Sequence, residues 1–146
     1  MRDGIRIGND MKQAVILFLI SALFGSSLFA ADITVIITGI TVDQGKVRLG
    51  MFNNSNEFPN GQQKAGQFVD SENKTVKMIF TDIEPGTYAF AAFQDRNGNE
   101  KLDTNFLGMP KEKYGFSGKE VWGNPKFDDA VVLIESDNKV IRIEIK

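Results

Sequence analysis

From Ile33 onward, apolar and polar side chains alternate in short runs separated by turn residues. Ile33 to Ile40 alternates around Thr34 and Thr38, and Val47, Leu49 and Met51 share one face with Arg48 on the other. Val76, Met78 and Phe80 alternate with Lys77, and Ile141, Ile143 and Ile145 alternate with Arg142 and Glu144. A period of two predicts half-buried β-strands. Thr87 to Phe93 reads as a strong strand with aromatic residues on both faces, and the unbroken apolar run Val131 to Ile134 predicts a central strand. Turn residues separate these runs at Asp43-Gln44-Gly45, Asp82-Ile83-Glu84-Pro85-Gly86 and Asp137-Asn138. The helical period is absent apart from one turn near Pro59–Ala65, and the polar stretches Asn53–Asn56 and Pro59–Gly61 read as a plain surface loop. About seven short strands in one domain predict an all-β fold, a single antiparallel β-sandwich. Tyr88 follows the Pro85-Gly86 turn, where a tyrosine entering a strand bonds back across the corner of a sandwich, and it also suits the core.

The N-terminus follows a different pattern. Lys12 and Gln13 lead into an apolar run, Ala14 to Phe24, then small residues and Leu28-Phe29-Ala30. This order predicts a signal peptide over residues 1–30, with cleavage after Ala30 or Ala31 and Met11 as the start. The run is shorter than the roughly 20 residues that span a bilayer. Residues 31–146 are then the single folded domain, and the protein is expected in the periplasm or secreted, with no membrane span after cleavage.

Composition narrows the chemistry. The chain has no Cys and no His, so disulfides, thiolate sites and imidazole catalysis are excluded. Its formal net charge is −2 and its basic residues are scattered, which argues against nucleic acid as a partner.

Between Phe93 and Asp129 no strand pattern is clean, and a loop this long in a compact domain is usually functional. It opens with Asp95, Asn97, Asn99 and Asp103, with Lys101 at the place where calcium loops use a backbone carbonyl. This makes Asp95, Asn97, Asn99, Lys101 and Asp103 the candidate metal ligands and calcium the candidate cofactor. Gly98 sits at the fourth place rather than the sixth, and Phe106 takes the place of the bidentate Glu, so any site is weak, on the order of 10⁻⁴ to 10⁻³ M. Asn97-Gly98 is equally a turn dipeptide that needs no ion. Further along, Tyr114, Phe116 and Trp122 are either a packed cover over the core or a ligand-binding platform.

The runs PGTYAF, QDRNGNEKLDTNFLGMPKEKYGFS and NPKFDDAVVLI resemble the bacterial family called domain of unknown function 2141, and the resemblance spans essentially residues 31–146. It implies a small exported protein with a transthyretin-like or immunoglobulin-like sandwich, and it implies no activity. Members of that family often carry His before the Asp that opens the loop; this chain has Gln94.

The leading expectation is a non-enzymatic binding or interaction module whose partner is an envelope protein, a glycan or a small apolar ligand. A structural accessory subunit of an envelope assembly is the alternative. A hydrolase based on paired carboxylates would draw on Asp95, Glu100, Asp103, Glu112 and Glu120. A small sandwich offers it little room for a cleft.

Overall fold

A computed structural model describes residues 30–119 and 125–146. The expected signal segment, Trp122 and Glu120 lie outside the described residues. Eight strands and one short helix follow in order: β1 (Ala31–Thr38), β2 (Lys46–Phe52), β3 (Ala65–Asp70), β4 (Thr75–Ile83), β5 (Gly86–Asp95), β6 (Tyr114–Phe116), α1 (Phe127–Ala130), β7 (Val131–Ile134) and β8 (Lys139–Glu144). One sheet has the order β4-β1-β8; the other has the order β3-β2-β5-β6, with β7 also paired to β5. The sandwich expected from the alternation is present. Its pairings are antiparallel except one, β1 with β8, which runs parallel.

The alternating residues fill the space between the sheets. Ile33, Val35 and Ile37 of β1, Val47, Leu49 and Met51 of β2, Phe90 of β5 and Ile141 and Ile143 of β8 belong to one buried cluster. Each such side chain removed from water contributes about 1.5–3 kcal/mol. Tyr88 lies in the same cluster, and its hydroxyl donates to the Glu84 carbonyl at 2.9 Å. The corner hydrogen bond and the core role therefore both hold.

Three local features depart from the pattern. The run Val131–Ile134 is an edge strand rather than a central one, because β5 is long enough to carry two partners on one edge: β6 pairs with Ala91–Phe93 and β7 with Gly86–Ala89. β3 lies on the other edge with only half-buried and exposed side chains, so its sequence carries no alternation. The polar loop between β2 and β3 is more than a connection. Its Phe58 plugs a second buried cluster with Phe52, Ala89 and Ala130, on the outer face of the larger sheet. Phe58 meets the rings of Phe52, Phe116 and Phe127 edge-on at centroid distances of 5.4, 5.6 and 5.9 Å.

Candidate binding site on the outer sheet face

β5 ends at Asp95, whose side chain is fully buried on the outer face. Its Oδ1 accepts the Gly98 and Asn99 amides at 2.7 and 3.2 Å, and its Oδ2 accepts the Glu100 amide at 3.0 Å and Arg48 Nε at 2.7 Å. One carboxylate thus ties three amides of the following turn to a guanidinium on β2, and Arg48 reaches on to Glu100 at 3.0 Å. Burial alone would raise the Asp95 pKa, but the Arg48 hydrogen bond, the Glu100 and Gly98 amides and the Arg48 charge outweigh it and hold the carboxyl below its ordinary value. Burial likewise opposes the charge of Arg48, and the bonds and charges of Asp95 and Glu100 reverse that and raise its pKa.

The other expected ligands group separately. Asp103 accepts the side-chain amides of Asn97 and Asn99 at 2.6 and 2.8 Å. The amide oxygens of those two residues accept the Asn99 and Lys101 N–H groups at 3.1 and 2.9 Å. Asn97, Asn99 and Asp103 therefore come together, whereas Asp95 faces Arg48. A cation held by all five positions would have to displace Arg48 from Asp95. A cation at Asp103 alone would find one carboxylate, with both asparagine amides turned over to present oxygen. No group of three acidic side chains placed to hold a metal occurs among the described residues.

Of the other acids, Glu112 is buried and accepts the Arg96 and Asp103 amides at 2.8 and 3.0 Å, which closes the base of the loop. Gln94 is also buried. It donates to the Thr41 and Gln44 carbonyls at 2.6 and 2.8 Å and accepts the Thr41 amide at 2.9 Å. Its side-chain bonds hold the β1–β2 connection.

Built this way, the loop stands as a wall beside the outer sheet face. The opposite wall is the Phe58 loop, which approaches the sheet closely because Gly50 has no side chain; a Cβ there would lie 2.7 Å from the Gln63 side chain. Between the walls lies a groove of about 660 Å³. Ala91, Phe93, Tyr114 and Phe116 line it from the sheet, Pro59 and Gln63 from one wall, and Leu102, Met109 and Pro110 from the other. Tyr114 and Phe116 thus sit on one groove surface, their rings 5.6 Å apart. The sequence reading missed Phe93 and Gln63, since nothing in a linear pattern marks the outer face of β5 or a glutamine folded back over glycines. Glu100 is the groove's one carboxylate among the described lining residues, and it is paired with Arg48.

No curated protein and no solved structure matches the sequence. Over residues 35–142 it matches a family described as an uncharacterized protein conserved in bacteria, DUF2141, and those residues hold most of the sandwich, Asp95 and its turn, and both groove walls. The chain therefore belongs to the DUF2141 family.

Proposed function

We propose that this protein is a non-enzymatic binding module that holds a small, largely apolar molecule in the groove on the outer face of its larger sheet, outside the cytoplasm. The groove carries the reading: its volume of about 660 Å³ falls within the span of small-ligand sites, and its floor is apolar while Asn60, Gln63, Thr104 and Lys101 rim it with polar groups. Non-catalytic use is supported by the engagement of Asp95, Glu100 and Glu112 in the chain's own bonds. The apolar run before Ala30 supports export. In this reading the loop whose spacing suits calcium serves as a wall, with Arg48 as the cation at Asp95.

Amide chemical shifts recorded during titration with fatty acids and, separately, soluble oligosaccharides test the proposal. Shifts concentrated at Ala91, Phe93, Tyr114 and Phe116 with the fatty acids are expected. They should weaken at least about tenfold in Tyr114→Ala, as expected for loss of a buried aromatic contact. Shifts only with oligosaccharides would replace the apolar ligand by a glycan, and no shift at these residues with either would remove the groove as a binding site.

A further inference from the structure

The wall that carries Met109 continues past the groove into a narrow hairpin, closed by a bridge between Thr104 and Pro110. At its tip Phe106, Leu107 and Met109 are 95, 67 and 56% exposed. Three large apolar side chains held in water at one turn are costly, and each would gain about 1.5–3 kcal/mol on full burial. The turn does not bury them against the domain because it is fixed from within. The Asn105 side-chain oxygen accepts the Leu107 and Met109 amides at 2.9 and 3.0 Å. The Gly108 amide donates to the Asn105 carbonyl at 2.9 Å, and the Asn105 amide to the Met109 carbonyl at 2.8 Å.

That bonding has a consequence for what the tip can enter. In hydrocarbon a backbone N–H without an internal partner costs several kcal/mol. Here three of the four tip N–H groups, those of Leu107, Gly108 and Met109, have partners inside the turn, as does that of Asn105. The charges below the tip are also sorted. Glu100 is paired with Arg48, Asp103 accepts two asparagine amides and Glu112 two backbone amides, while the exposed Lys101 and Lys111 have no ion pair among the described residues. Lys111 directly follows the closing bridge, with its amide on the Asp103 carbonyl at 2.8 Å. Its site is two residues beyond Met109, at most roughly 7 Å along the chain. That separation suits apolar groups at acyl depth and ammonium groups at the phosphates.

We propose that the Phe106-Leu107-Gly108-Met109 tip is a bilayer-docking element that inserts its apolar side chains into a membrane leaflet containing anionic lipid, with Lys101 and Lys111 at the headgroups. The proposal does not rest on the groove reading. A net charge of −2 gives the whole molecule no general attraction to such a surface, so the contact is local to the tip and reversible.

The test uses the full chain with vesicles of phosphatidylethanolamine and phosphatidylglycerol, in a flotation assay. The expected result is binding that falls at least about tenfold in Phe106→Ser and further when Leu107→Ser and Met109→Ser are added. Lys101→Glu with Lys111→Glu should weaken it in these vesicles, with little effect when phosphatidylcholine is the sole lipid. Melting temperatures, expected to be unchanged because these side chains are exposed, separate loss of binding from unfolding. A Phe106→Trp variant should show fluorescence quenched by brominated acyl chains beyond that of the unsubstituted chain. Binding that survives the triple serine substitution would place the contact elsewhere on the chain and overturn the proposal. So would absence of binding to every vesicle, or capture of a protein that depends on the tip without any lipid binding.

Discussion

Asp95 and Arg48 form the ion pair at the start of the loop that follows β5. The pair spans two strands, its carboxylate is fully buried, and it also receives three backbone amides. Removing one partner of a buried pair costs about 3–5 kcal/mol, because the other charge and its donors are left unsatisfied. Asp95→Ala is therefore expected to destabilise the domain by about 3 kcal/mol in chemical denaturation, far more than Asp103→Ala, whose bonds are exposed. Equal losses would remove Asp95 from its central role. The folded-state pKa of Asp95 lies below its ordinary value, so its stabilisation is present above that value and is lost as pH falls through the depressed one. The stability of the Asp95→Ala variant should accordingly fall less steeply in acid than that of the native chain. If, as proposed, Arg48 is the cation at Asp95, melting temperatures in calcium and in chelator are expected to coincide; a calcium-specific rise would instead place a metal at Asn97, Asn99 and Asp103. Spacing made these residues visible as oxygen-rich positions but could not reveal Arg48, which lies 47 residues earlier in the chain.

At the scale of elements, legibility followed burial. β1, β4 and β8 each bury one face, β2 buries one face along its length and both at its end, and alternation revealed them. β3 has no buried face, and β6 is three residues with a glycine at its centre, so neither left a period to read. β7 looked central because its residues are apolar, yet Leu133 is exposed on a sheet edge. β6 is short but tightly placed. A Cβ on Gly115 would lie 2.4 Å from the Glu144 carbonyl oxygen and 2.9 Å from Ile143, so that glycine lets β6 press against the end of β8. Gly115→Ala should cost about 1–3 kcal/mol and lower the melting temperature by several degrees. An unchanged melt would mean that β6 can shift away from β8 freely. Ser117, just beyond, is buried and accepts the Phe90 amide at 2.9 Å while its hydroxyl donates to the Ala130 carbonyl, so this corner joins β5, β6 and α1. The groove floor depends on that corner holding Phe116 in place.

For the molecule as a whole, the sandwich was legible and the groove was not. A groove arises where two loops meet over the unpaired face of a sheet, and neither loop's sequence states where the other will lie. The parallel pairing of β1 with β8 also escaped the reading, since strands adjacent in space are here more than a hundred residues apart. It makes the C-terminal strand the partner that completes the smaller sheet, and it brings Ile141 and Ile143 into the core. Deleting residues 139–146 should abolish the cooperative thermal transition and leave the chain open to protease, whereas a retained transition would show that β1 needs only β4. The same pairing imposes an order in time. As the chain leaves the ribosome, β1 emerges more than a hundred residues before β8, and until β8 follows one of its flanks has nothing to bind. Completion of the fold therefore waits for β8, and a polypeptide threaded head-first through a narrow translocation pore would keep its smaller sheet incomplete until β8 followed.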